Sequence, residues 1–170
     1  IVISLVSAVG LFLGRQKIFG ISLGITFVFF AGILAGHFGI VVNKDMLNFA
    51  QSFGLILFVY SLGLQVGPGF FSSLKKGGVA MNMMGLGVVL LGLILTLVLH
   101  WTTGVSLPNM VGLLCGAVTN TPALGAAQQA LLQVNPADSK EVTDMALACA
   151  VAYPLGVVGV IMAIILLRKV

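Results

Sequence analysis

Thr119-Asn120-Thr121-Pro122 is the stretch best equipped for chemistry, because it breaks an otherwise apolar run with three polar side chains and a proline. Threonine caps helix N-termini well, and proline suits the first helical turn. Thr121-Pro122 therefore predicts a helix start, and residues 108–133 a broken helix. Each arm of the break spans roughly 16–18 Å at 1.5 Å per residue, about half of a 30 Å hydrocarbon core. The last carbonyls of the first arm, near Gly116 to Val118, are expected to lack partners. So are the first free amides of the second arm, at Ala123, Leu124 and Gly125. Lipid cannot satisfy such groups, so they must face protein, water or a ligand. Half-helix N-termini attract anionic substrates, and C-terminal carbonyls take cations. The residues expected to bind substrate are Thr119, Asn120, Thr121, Pro122, Ala123, Leu124 and Gly125, with Gln128 two turns on. Gln65, in a separate glycine-rich stretch, is expected to face the same pathway. The plainer alternative is a structural kink satisfied by neighbouring helices.

The setting for these residues is lipid. Of 170 residues, 59% are hydrophobic and 7% charged, against about 25% charged in a soluble domain. The net charge of +4 comes from basic residues placed singly or in pairs between apolar runs. That placement fits membrane topology and excludes a nucleic-acid partner, which would want clustered Lys and Arg with interleaved aromatics. Cys115 and Cys149 lie in apolar segments without metal-ligand spacing, so no metal site is expected. No cofactor is expected either, with Na⁺ as the one candidate coupling ion. Asp45, Asp138, Glu141 and Asp144 all fall in loops or at span starts, so no carboxylate proton relay is legible within the spans. The chain carries no HExxH, GxSxG or intramembrane carboxylate pair, which argues against an enzyme.

Apolar runs predict spans at Ile1–Leu13, Gly20–Gly36, Met46–Gly63, Val79–Leu99 and Met145–Leu167, besides the broken segment. The Gly63-Leu64-Gln65-Val66-Gly67-Pro68-Gly69 stretch is expected to end its helix, with Phe70 to Gly78 lying at the interface. Asn135 to Glu141 reads as a polar loop, and Tyr153-Pro154 as a kink. His37 and His100 are expected to be interfacial anchors at span ends. Gly20/Gly24, Gly32/Gly36, Gly63/Gly67 and Gly112/Gly116 predict close helix packing. If the broken segment enters and leaves on one face, six basic residues share one side against two on the other, the better fit to the positive-inside rule. This puts the N-terminus outside and the C-terminus in the cytoplasm. The start at Ile1-Val2-Ile3, without Met, reads as a piece of a longer chain.

The run Gly112-Leu113-Leu114-Cys115-Gly116-Ala117-Val118-Thr119-Asn120-Thr121-Pro122-Ala123-Leu124-Gly125-Ala126-Ala127 resembles the aspartate–alanine exchanger family. More closely, it resembles the duplicated membrane domain of that family's YidE/YbjL-type transporters. Gly63 to Phe71 resembles a second motif of the family, and the likeness spans nearly the whole chain. The resemblance implies a bacterial inner-membrane protein with two such domains and TrkA-C-like regulatory domains between them. It also implies amino-acid exchange, of which aspartate for alanine is the best-known case.

The fold expected is an all-α integral membrane protein with about five transmembrane helices plus a broken helix or re-entrant hairpin. Residues 1–170 would form a single repeat, one half of an inverted-repeat secondary transporter. Its partners would be the lipid bilayer, a second repeat or second copy (a homodimer), and a small anionic or zwitterionic metabolite. An amino acid or dicarboxylate would fit. The alternatives are a channel-like pore, or a membrane module serving regulation or assembly.

Overall fold

The computed structural model describes residues 1–18, 21–22, 24–73, 78–135 and 139–167. Gly20, Lys75, Lys76, Pro136, Ala137, Asp138, Arg168 and Lys169, to which the sequence assigned loop, packing or topology roles, lie outside the described residues. Seven helices occur among those described: α1 (Val2–Gly14), α2 (Phe27–His37), α3 (Lys44–Ser73), α4 (Val79–Thr103), α5 (Leu107–Ala117), α6 (Thr121–Val134) and α7 (Ser139–Leu167). The only other regular pairing among them is a two-residue antiparallel ladder, Lys17–Ile18 with Ile21–Ser22. The chain divides into two compact units, residues 1–52 and 53–170.

In the first unit, α1 packs against α2 through glycine. A Cβ at Gly10 would lie 2.5 Å from the Val28 Cα, and one at Gly14 would strike the Gly24 carbonyl. The expected second span is shortened at its start, because Gly24 (φ 74°) donates its amide to the Gly14 carbonyl at 3.0 Å and turns the chain before α2. α1 and α2, at 13 and 11 residues, fall short of the roughly 20 that a perpendicular crossing needs.

α3, α4 and α7 are long and apolar enough to cross a membrane. Asn43 starts α3 by accepting the Asp45 amide at 2.9 Å and the Met46 amide at 3.3 Å. Contrary to expectation, α3 does not stop at Gly63: it runs through Pro68 to Ser73. Phe70 and Phe71 are therefore helical. A proline costs a membrane helix one ladder bond, and without water to compete the remaining ladder holds. Similarly, α7 begins at Ser139, so Lys140, Glu141 and Asp144 are helical rather than loop, and the helix continues through Pro154. At the end of α4, Gly104 (φ 69°) gives its amide to the His100 carbonyl, while the His100 Nδ1 lies 2.6 Å from the Val105 carbonyl.

The second unit is organised by α5 and α7. Gly112 faces the Met145 carbonyl and Gly116 the Cys149 carbonyl, while Gly156 sits against the carbonyls of Gly116 and Ala117. These pairs advance together, so α5 and α7 run in the same direction. α6 runs the opposite way: Gln128, two turns past the break, donates its Nε2 to the Val142 carbonyl at 2.9 Å, near the start of α7. The broken segment is thus a hairpin, with its tip at residues 118–120. Met110, Cys115, Leu124, Met145, Cys149 and Tyr153 form the buried apolar core, joined by Thr96, which donates to the Gly92 carbonyl. Most other large apolar side chains are exposed, the exterior of a protein whose solvent is lipid.

Of the expected glycine pairs, Gly112/Gly116 makes the backbone contact foreseen, whereas a Cβ at Gly32, Gly36, Gly63 or Gly67 meets nothing within 4 Å. Gly116→Val should therefore cost about 3 kcal/mol or more, because its Cβ would lie 2.8 Å from that of Ala152 and strike backbone besides. Gly32→Ala should be neutral or stabilise by up to about 1 kcal/mol. Thermal melting of the two variants in mild detergent checks the contrast.

Candidate functional site

The tip of the hairpin is built almost entirely from backbone. α5 ends with Thr119 N–H donating to the Gly116 carbonyl at 3.0 Å and Asn120 N–H to the Cys115 carbonyl at 2.8 Å. This nested pair of bonds is a Schellman motif, which places one residue in the left-handed region, usually glycine. Here that residue is Thr119, at φ 54°. For a β-branched residue this conformation is a genuine outlier, costing about 1–3 kcal/mol.

Asn120 then opens α6. Its Oδ1 accepts the Ala123 amide at 3.0 Å, and its carbonyl accepts the Leu124 amide at 3.3 Å. The cap is therefore Asn120, one residue earlier than Thr121, because the Schellman turn leaves Asn120 extended and next in line. The expectation of bare amides at Ala123 and Leu124 is corrected by these bonds, and Gly125 lies one turn inside α6. The carbonyls of Leu114, Cys115 and Gly116 are likewise occupied. The backbone groups at the tip without a hydrogen-bond partner among the described residues are the Thr121 amide and the carbonyls of Ala117, Val118 and Thr119.

Thr119, Thr121, Pro122, Ala123 and Gly125 are half-buried around the tip, and Asn120 is exposed. A Cβ at Gly125 would meet nothing within 4 Å, so the backbone there can be approached closely. Leu124 differs: its side chain is 3% exposed and belongs to the core. Gln128 sits farther down α6, where its amide ties the hairpin to α7. Gln65 is exposed on α3, which has no buried residue among those described, and the fold does not gather it to the tip.

One feature was read in the sequence only as a kink, and a second went unnoticed. Tyr153, buried in α7, places its backbone against Gly116, and Pro154 removes the donor that the Ala150 carbonyl would take in a regular helix. Asn109 Oδ1, near the start of α5, is buried without a partner among the described residues. The signal for both was a proline beside a polar residue in an apolar run, at Pro108-Asn109 and Tyr153-Pro154.

Long apolar helices and a half-length helix pair on a glycine-lined partner define a membrane-embedded protein. The family model described as a predicted permease membrane region, Asp-Al_Ex, matches residues 2–169, and the chain belongs to this family. A protein of Bacteroides thetaiotaomicron named an uncharacterized transporter is 66% identical over 169 residues, covering 99% of this chain and 30% of the relative. One of Porphyromonas gingivalis with the same name is 61% identical over 168 residues, covering 99% and 30%. A Yersinia pestis relative is 47% identical over 170 residues, covering 98% and 31%. The chain thus spans under a third of the length of these relatives. No solved structure matches it.

The tip geometry separates cap from strain. Asn120→Ala should destabilise the protein by about 1 kcal/mol through loss of the cap. Thr119→Gly should stabilise it by about 1 kcal/mol by relieving the left-handed threonine. Detergent melting curves of the two variants should shift in opposite directions.

Proposed function

We propose that this chain is the substrate-binding membrane domain of a bacterial inner-membrane secondary transporter, acting on a small anionic or zwitterionic metabolite such as an amino acid or dicarboxylate. The observation that carries the reading is the chain reversal at residues 118–120, with an open amide at the start of α6 beside open carbonyls at the end of α5. The N-terminal end of α6 would take the carboxylate of the substrate, helped by the Thr121 amide and hydroxyl and by the Asn120 Nδ2. The carbonyls of Ala117, Val118 and Thr119 would take an ammonium group or a coupling Na⁺. No acidic side chain stands near the tip among the described residues, so the anion meets no repulsion there. The names of the relatives from Bacteroides thetaiotaomicron and Porphyromonas gingivalis support transport as the class.

In this reading the α5–α6 hairpin enters and leaves on the outer face. The start of α7 also lies outside, and the C-terminus in the cytoplasm. Movement of the hairpin and α7 against the remaining helices would expose the tip to each side in turn.

The test is counterflow in proteoliposomes holding the complete natural polypeptide, loaded in turn with aspartate, alanine and a dicarboxylate. Saturable uptake of the matching labelled compound is expected. Asn120→Asp keeps the cap but replaces an amide donor with a negative charge, and should weaken an anionic substrate at least tenfold while melting as the parent does. Conductance without saturation would favour a pore, and unchanged affinity in Asn120→Asp would remove the tip from the site. A cysteine placed at Lys140 should react with a membrane-impermeant maleimide added outside; reaction only from the cytoplasm would refute the outer-face hairpin.

A further inference from the structure

The first unit holds a cavity of its own. α1 and α2 run antiparallel and touch at one end only: a Cβ at Gly10 would strike the Val28 backbone, and one at Gly14 the Gly24 carbonyl. Past Val28 the two helices splay, and a Cβ at Gly32 or Gly36 would meet nothing within 4 Å. Between the splayed ends lies a wedge of about 360 Å³, lined by Val6, Ser7, Val28, Gly32, Gly36 and Val42 among others. A turn closes its wide end. Gly39 (φ 75°) lets the Ile40 amide reach the Ala35 carbonyl at 3.0 Å, and this brings residues 40–42 to the wedge. Lys44 then begins α3, between Val42 and Leu47, which both line the cavity. Its ammonium group is exposed and has no partner among the described residues. Ser7 is the one lining residue with a polar side chain.

We propose that this wedge binds an anionic phospholipid of the bilayer, with an acyl chain between α1 and α2 and the phosphate at Lys44. The width excludes a helix as occupant. One helical turn is about 5.4 Å tall and 10–12 Å across, which is roughly 400–600 Å³. From Val28 to Gly36 the wedge runs about 12 Å along α2, so a helix filling it would need over two turns. A hydrocarbon chain is thinner and flexible enough to follow the taper. The lining excludes water, which would find almost no polar partners there. Charge selects the headgroup. The wide end meets the polar run Asn43-Lys44-Asp45, where the apolar layer gives way to headgroups, and the lysine there lacks a counter-ion among the described residues. Asp45 stands about 100° around α3 from Lys44, its amide taken by the Asn43 Oδ1. The glycines at 32 and 36 thus make room for lipid rather than for a neighbouring helix. The proposal rests on membrane embedding and not on transport.

The experiment places the complete natural polypeptide in phosphatidylcholine vesicles containing phosphatidylglycerol with a diazirine in one acyl chain. After irradiation, mass spectrometry maps the adducts. They should concentrate on residues 2–7 and 28–42, several-fold above the exposed face of α4. Gly36→Leu fills the wedge without striking the chain, and should remove those adducts while melting as the parent does. Lys44→Gln should leave the labelled positions unchanged. It should bring the advantage of the phosphatidylglycerol probe over a phosphatidylcholine probe of the same chain, about fivefold for one lysine at this depth, close to parity. Adducts spread evenly over the wedge and α4 would mark ordinary surrounding lipid and overturn the proposal. So would an equal yield from the two probes in the parent protein. A diazirine side chain placed at Val6 should couple to lipid, and coupling to another protein segment instead would overturn the proposal as well.

Discussion

A helix can stop inside an apolar layer only where its end groups find partners, and that constraint shapes the rest of this molecule. Water would satisfy them anywhere on a soluble protein, whereas hydrocarbon satisfies none. Here three residues, Val118 to Asn120, close one helix and open the next. Asn120 serves twice, its amide ending α5 and its side chain capping α6. The economy of this turn lets two helices of 11 and 14 residues exist as a pair where a single long helix would otherwise be required.

A hairpin of that length buries too little surface to hold itself, so it must be fixed to something longer. α7 does this through backbone proximity rather than large side chains. Gly112, Gly116 and Gly156 remove the Cβ atoms that would keep the two axes apart, and Met110, Cys115, Leu124, Met145, Cys149 and Tyr153 fill the margins. Without a hydrophobic drive between helices in lipid, such close packing is the main source of adhesion. Gln128 adds a polar strap at the far end of α6, where the start of α7 offers the Val142 carbonyl.

What the sequence disclosed and what it hid follow from the range of the interactions. The break was legible because Thr119-Asn120-Thr121-Pro122 concentrates local signals of capping and chain reversal. The membrane class was legible because composition is global. The continuity of α3 through Pro68 and of α7 through Pro154 was not, since breaker rules learned in water overstate what one missing donor does in a long apolar helix. Nor could the sequence tell Gly112 from Gly32: both begin a four-residue glycine spacing, and only the neighbour that tertiary structure supplies distinguishes them. The one-residue error in the cap had a different origin. Threonine and asparagine both cap helices, and the choice was made by a Schellman turn that forces Thr119 into the left-handed region and hands the cap to Asn120.

That forced threonine bears on how a site of this kind can work. Glycine at residue 119 would make the same turn at lower energy, so a threonine there keeps a hydroxyl at the tip at the expense of about 1–3 kcal/mol of backbone strain. On the transport reading, strain and unsatisfied carbonyls act in the same direction: both raise the energy of the empty tip and can be relieved when a ligand is bound. A binding group carried on a fixed side-chain charge would hold that charge in hydrocarbon throughout the cycle, which is costly at mid-membrane. Partial charges at helix ends avoid this, because they belong to the backbone and remain modest when the ligand leaves. On that reading, a tip made of peptide groups, a strained threonine and a capping asparagine would suit meeting a charged solute briefly and releasing it.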